Sequence, residues 1–197
     1  MSAARDLVLG RIRTALRDAP VAPDVPRDYR PAGRPASLET LIDRLVDYKA
    51  VVHRISEEDI AATVSGLVSG TVVVPPGLPP AWRPAGALQD DGLPQDRIAA
   101  ADAVLTAAAV AVAETGTIVL DGSPDQGRRI ITLLPDVHFC VLRAAQVVAA
   151  VPDAIARLEP RRPLTWISGP SATSDIELNR VEGVHGPRHL HVLLLAE

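Results

Sequence analysis

The chain reads as an α/β protein built on an open, mainly parallel sheet with helices on both faces. Three observations predict this. Short runs rich in β-branched and apolar residues, such as 71–74 and 137–142, recur between stretches with helical spacing. That strand–helix–strand order favours parallel strands joined by crossovers. Proline pairs and glycines stop the runs sharply, as at Pro75-Pro76, and no internal repeat is present.

In chain order, residues 3–16 place Leu7, Ile12 and Leu16 within reach of one helical face, which predicts an amphipathic helix. Prolines at 20, 23, 26, 31 and 35 follow. They forbid a helix and suit an extended strap. Residues 1–36 therefore read as an appendage, and 37–197 as the domain proper. Ser37 is placed to cap a helix through residue 47. A short strand is expected at 50–55. Ser56 then caps a helix at 57–67, whose Glu57, Glu58 and Asp59 lie at its positive end.

Residues 71–74 form a buried strand, and 75–94 a loop with one short strand near 87–88. The alanine- and valine-rich run from 101 has no polar face. It is read as strands at 103–105 and 109–113, then a turn at 114–116 into a third strand, 117–120. A turn at 121–127, a short helix at 128–134 and a buried strand at 137–142 follow. The stretch 144–158 reads as a helix that Pro152 must kink or split. Residues 164–167 open a final block, WISGPSATSDIELNRVEGVHGPRHLHVLLLAE, which ends in an apolar strand.

Composition narrows the function. At 197 residues and 47% hydrophobic, the chain is large enough for one substantial core. No run reaches the roughly 18 apolar residues that span a bilayer. The N-terminus lacks a signal peptide's apolar centre, so a cytoplasmic location is expected. The net charge of −4 gives no electrostatic case for nucleic acid. Lys49 is the one lysine, which removes P-loop chemistry. A single cysteine, Cys140, excludes an intrachain disulfide and a cysteine-ligated iron–sulfur cluster held by this chain alone.

Candidate site residues gather at strand ends. Ligands of open α/β sheets sit outside the carboxyl ends of strands, where Ser168-Gly169-Pro170-Ser171 is expected to fall. Gly169 would permit close backbone approach to a ligand. Ser171, Thr173 or Ser174 would cap a following helix, with Glu177 at capping-box spacing from Ser174. The N-terminus of such a helix accepts a small anion, although the pattern alone favours a capped helix with nothing bound. Asp175 and Glu177 diverge on a helix and favour a structural role. His185, in a loop before Gly186-Pro187, is a candidate acid or base. His189 and His191 alternate on one strand face, but no metal-ligand spacing accompanies them, and no metal is expected. Glu114 closes an apolar run before Thr115 and Gly116, where a carboxylate must be hydrogen-bonded, exposed to a cleft or shifted in pKa. Arg128 and Arg129 have the charge to meet an anion but read first as a solvated helix end. His138 and Cys140 share a strand face and read as core.

Three segments together carry a family resemblance: AETGT at 113–117 with IVL, LPDVH at 134–138, and SGPSATSDIE at 168–177 followed by GVHGP at 183–187. In order and spacing they resemble the LUD-domain proteins of the short lactate-utilization protein C type, from about Ser37 to the C-terminus. The resemblance implies a fold similar to the sugar-isomerase and CoA-transferase superfamily. It also implies a part in oxidising L-lactate to pyruvate, alongside two iron–sulfur partner proteins that carry the clusters. Carried over by motif, the site would comprise Glu114 and His185 as reacting groups. Thr115, Gly116, Gly169, Ser171, Asp175, Glu177 and Gly186 would be ligand contacts. A stand-alone CoA-transferase-like or nucleotide-dependent ligase-like enzyme is the alternative.

Overall fold

Six of the short apolar runs assemble side by side. They are β1 (Val51–Ile55), β2 (Val72–Val74), β3 (Leu88–Gln89), β4 (Ala103–Ala107), β7 (Val137–Arg143) and β12 (His189–Leu195). Their order is β1-β12-β7-β4-β2-β3, and every neighbouring pair is parallel. The computed structural model describes residues 3–18, 24–28, 32–173, 181–182 and 186–195. The chain divides into two compact units, Met1–Arg30 and Pro31–Glu197. The first contains α1 (Ala3–Ala15), the helix that the spacing of Leu7 and Ile12 predicts. The end of the proline-rich strap belongs to the second unit. There the Gly33 N–H donates to Asp153 Oδ1 at 2.5 Å, and Arg34 pairs with Glu114.

The sheet is covered on both faces, as its near-continuous hydrophobicity requires. On one face Leu105, Phe139, Val141 and Leu193 pack with Ile60 and Val64 of α3 (Ile60–Leu67), and with Leu78 and Trp82. On the other, Cys140, Leu142, Val192 and Leu194 meet Leu41 and Leu45 of α2 (Leu38–Asp47). A four-strand layer completes that second face, and the sequence reading did not foresee it. It comprises β5 (Val110–Val112), β6 (Thr117–Leu120), β8 (Val147–Val148) and β9 (Thr165–Ile167), in the order β8-β5-β6-β9. The connection from β5 to β6 is only residues 113–116, too short for a crossover, so the pair is antiparallel. Burial of Ala111, Ile118, Leu120 and Val147 seats this layer on α2 and the main sheet. Its outer side holds Ala154 of α5 (Val151–Arg157).

Local sequence explains most boundaries. The Ser37 hydroxyl accepts the Thr40 N–H at 3.1 Å and starts α2. That helix ends in a left-handed turn: Lys49 has φ +69°, and the Ala50 N–H reaches back to the Leu45 carbonyl at 2.9 Å. Lys49→Gly relieves a side chain from that conformation. It is expected to stabilise the protein by about 1 kcal/mol, read from urea midpoints at unchanged m-value; a loss of stability would contradict it.

Three expectations need correction. The helix expected at 144–158 begins only at Val151, because Gln146 turns the chain and Val147–Val148 joins β5 as a strand. The Gln146 side chain accepts the Arg143 N–H and donates to the Ala108 carbonyl. Pro152 falls in the first turn of α5, where its missing N–H costs nothing. Ser56 does not cap the backbone: its hydroxyl donates to Asp59 Oδ2, and 57–59 is a 3-10 turn before α3. Residues 128–134 likewise contain a 3-10 turn, Arg129–Thr132, in place of an α-helix.

Candidate functional site

The block expected at a carboxyl strand end lies elsewhere. β9 is the outer strand of the second layer, paired antiparallel with β6. Past it, Ser168–Ser171 borders a cleft of about 250 Å³, whose other lining residues include Arg129, Thr132, His138, Gly186, Pro187 and Leu190. His138 and Leu190 are the second residues of β7 and β12, so this cleft opens at the amino ends of the parallel strands. No helix directly follows Ser171, and Thr173 itself lies in a strand. Ala172–Thr173 is a strand, β10, paired antiparallel with β11 (Val181–Glu182), while the Ser171 N–H donates to the Pro187 carbonyl at 2.8 Å.

The mid-chain motif and this block do meet. The Thr117 hydroxyl lies 2.8 Å from the Thr115 hydroxyl and 2.8 Å from that of Ser168. Gly116 and Gly169, with φ +60° and +85°, both sit against the end of α2. A Cβ on Gly116 would lie 2.7 Å from Arg44 Cβ, and one on Gly169 2.6 Å from Tyr48 Cβ. Close packing against a helix therefore accounts for these two glycines. Glu114 stands on the β5–β6 turn with its N–H bonded to the Ala149 carbonyl. Its carboxylate meets Arg34 at 3.2 Å, and it is not among the residues lining the cleft. Asp175, Glu177 and His185, with Ser174, lie outside the described residues. Gly186 borders the cleft opposite Ser171.

Two residues that the sequence reading set aside, Arg129 and His138, stand in the cleft. Arg128 and Arg129 are adjacent but differ in what they meet. Arg128 makes two bonds to the carboxylate of Asp90, which is only 4% exposed. That guanidinium holds the Asp90 carboxyl below its ordinary range, an effect larger than the opposing burial. Arg129 donates to the Thr132 hydroxyl at 3.0 Å, and among the described residues no carboxylate pairs with it. It keeps contact with solvent, and partial desolvation lowers its pKa. Arg129, Thr132 and Thr165 also border a second cleft, of about 430 Å³, beside Asp90 and Arg128.

His138 is 2% exposed, and its Nε2 lies 2.8 Å from the Thr106 hydroxyl on β4. Burial first, and the charge of Arg129 second, depress its pKa to about 3, so the ring is neutral at physiological pH. The available signal was a polar ring inside the apolar run VHFCVL, which must find a partner when buried. Cys140, on the same strand face, is fully buried and its thiol is pushed up to about 12 by that burial.

The remaining motif residues are structural. Asp136 of LPDVH is bridged by Arg188, whose guanidinium holds the carboxyl below its ordinary range, and the Asp136 carbonyl accepts the His189 N–H. His191 Nδ1 lies 3.0 Å from His53 Nε2, with the rings stacked at 5.3 Å. Burial, with the neighbouring His53 and His189, lowers His191 to about 4. Among the described residues no cluster of three or more histidine, cysteine or carboxylate side chains is placed to hold a metal ion. Among them, too, no helix is long and apolar enough to cross a membrane.

A parallel sheet with helices on both faces, a second, mixed four-strand layer and a small polar cleft between them define an α/β domain of the DUF162 kind. The crystal structure of a DUF162 family protein from Deinococcus radiodurans superposes with a TM-score of 0.69 at 39% identity, covering 81% of this chain and 96% of that one. The chain belongs to the LUD domain family, whose model matches residues 88–195. It is 44% identical over 174 residues to Lactate utilization protein C of D. radiodurans, an alignment covering 84% of this chain and 82% of that protein. It is 31% identical over 162 residues to Lactate utilization protein C of Shouchella clausii, where it spans just under two thirds of that relative's length (65%).

Proposed function

We propose that this protein is a subunit of an iron–sulfur-dependent L-lactate oxidation system, itself without a cluster, that holds a small anion in its cleft. The observation that carries the reading is the match, over more than four-fifths of both chains, to a protein named Lactate utilization protein C. The chemistry of the chain supports the division of labour. An iron–sulfur cluster needs several thiolates, and the one cysteine here is buried within β7 with its thiol well above the ordinary range. Clusters would therefore reside on two partner proteins, and this subunit would act in the cytoplasm with them.

The cleft supports a ligand-holding part. Its volume of about 250 Å³ lies below the roughly 300–1,000 Å³ typical of sites for drug-sized molecules, which suits a small acid. Arg129 supplies the positive charge, and Thr132, Ser168 and Ser171 supply polar groups around it. A CoA-transferase-like or ligase-like reaction through Glu114 gains less support, since that carboxylate meets Arg34. Deletion of the gene is expected to abolish growth on L-lactate while sparing growth on glucose, and the tagged protein is expected to retain two cysteine-rich iron–sulfur proteins on purification. Normal growth of the deletion strain on L-lactate would refute the reading.

A further inference from the structure

We propose that the larger cleft, beside Asp90 and Arg128, binds an organic monoanion with a ring-sized apolar body, its carboxylate on the Arg129 guanidinium and its body against Pro76, Pro124 and Pro163. This goes beyond the small-acid reading, which concerns the other cleft. The volume of about 430 Å³ falls inside the roughly 300–1,000 Å³ of sites that enclose drug-sized molecules.

Topology favours this place. From β2 the chain passes to β3 on one side, and from β4 towards β7 on the other, so the switch point of the sheet lies between β4 and β2. Ligands of open α/β sheets bind outside the carboxyl ends of strands near such a point. The loop 121–127 covers it. The Asp125 carbonyl accepts the Ala107 N–H at the end of β4, and the Pro124 carbonyl accepts the Gly77 N–H past the end of β2. The larger cleft opens alongside that loop, where Pro76 follows β2 and Asp90 follows β3. Its wall is closely packed. A Cβ on Gly77 would lie 2.5 Å from the Pro124 backbone, and one on Gly127 2.9 Å from Pro75 Cβ. Packing of this kind fixes the wall before a ligand arrives.

Charge then selects the ligand. The Asp90 side chain is 1% exposed and accepts two bonds from Arg128, whose guanidinium also donates to the Leu93 carbonyl. Those two charges cancel. Arg129 donates to the Thr132 hydroxyl, and among the described residues no carboxylate pairs with it. Its guanidinium is partly desolvated, which strengthens its attraction for an anion. The planar fork matches a carboxylate with two parallel bonds. A second negative charge on the ligand would meet the Asp90 carboxylate, so a monoanion fits best. The rest of the wall asks for an apolar body. Prolines carry no N–H, the Pro76 carbonyl already accepts Arg83, and the Pro124 carbonyl accepts Gly77. Leu120 adds to the same apolar surface.

The test is calorimetric titration of the full chain with benzoate, benzamide, acetate, inorganic phosphate and adenosine monophosphate. Benzamide keeps the ring and removes the charge; acetate keeps the charge and removes the ring. Benzoate is expected to bind about tenfold more tightly than benzamide, and at least about tenfold more tightly than acetate. Arg129→Gln should erase the preference for benzoate over benzamide. Arg129 stands on the wall shared with the smaller cleft, so two further variants separate the sites. Pro163 lines the larger cleft alone and Trp166 the smaller one alone. Pro163→Asp, at an exposed position, should weaken benzoate at least about tenfold by setting a carboxylate in the apolar wall. Trp166→Ala should leave benzoate binding unchanged. Equal binding of benzoate and benzamide overturns the proposal, as does acetate binding as tightly as benzoate. Tighter binding of phosphate or adenosine monophosphate removes the monoanion assignment. A loss of benzoate binding in Trp166→Ala with none in Pro163→Asp puts the ligand in the other cleft and overturns it equally. Each of these failures leaves the subunit assignment to be decided by growth on L-lactate.

Discussion

Acidification from pH 6.5 to pH 4 is expected to remove about 3 kcal/mol of folding stability through His138 alone. The imidazole takes a proton near pH 6.5 in the unfolded chain and only near about 3 in the folded one. Above pH 6.5 neither state is protonated, so the group contributes no pH dependence. Below it the unfolded chain binds a proton that the folded chain refuses, and stability falls by about 1.4 kcal/mol per pH unit until about pH 3. His191, lowered to about 4 mainly by burial, acts in the same direction between 6.5 and 4. Asp90 and Asp136, held down by Arg128 and Arg188, add their losses at lower pH, as the carboxyls protonate. Against a total stability of about 5–15 kcal/mol, one buried ring is a large fraction. Urea unfolding at pH 7.5, 6, 5 and 4 measures it. His138→Leu should reduce the proton uptake on unfolding by close to one between pH 6 and 4, and an unchanged slope would sink the assignment. Arg129→Gln should produce a smaller reduction, since its charge is the second cause of the depression.

The parallel sheet was legible because it depends on local composition. Runs such as Val72–Val74 and Val137–Leu142 cannot be solvated, and the helical spacing around Leu41 and Leu45 names the face that covers them. The second layer was half legible. The four residues between Val112 and Thr117 already require a hairpin, but nothing in Thr165-Trp166-Ile167 says that this strand joins β6 and not the main sheet. That choice moved the whole block from a carboxyl strand end to the amino ends of β7 and β12. Arg128 and Arg129 cannot be told apart in sequence, because the difference is made by Asp90, brought in by the loop after β3. His138 announced a need for a partner, and only the register Val104↔His138, which sets Thr106 of β4 near the ring, supplies one. Glu114 looked like the completing acid, and the distant Arg34 gives that carboxylate an ion pair.

Gly169 carried the original case for a ligand turn, and substituting it separates that role from the packing one. Gly169→Ala is expected to destabilise the protein by about 2–5 kcal/mol. About 1–2 kcal/mol comes from placing an L side chain at φ +85°, and about 1–3 kcal/mol from forcing a methyl group into filled space. The new Cβ would stand 2.6 Å from Tyr48 Cβ and 2.8 Å from the Tyr48 carbonyl oxygen. Neither atom belongs to the flexible end of a side chain, so the turn or the end of α2 must shift. Gly122→Ala is the matched comparison. Its φ of +67° carries similar backbone strain, but its nearest neighbour would be Pro163 Cγ at an ordinary 3.6 Å. It should therefore cost only about 1–2 kcal/mol, and the difference between the two midpoints isolates the contact with Tyr48. Equal losses would mean that the left-handed backbone alone selects glycine at 169. A larger loss at 169 means that the turn exists to seat α2 against the second layer, as Gly116 does against Arg44. On that account Gly169→Ala lowers anion binding only by unfolding the protein, and the fraction that stays folded at low temperature should bind with unchanged affinity. A folded variant that had lost the ligand would instead return Gly169 to the binding surface.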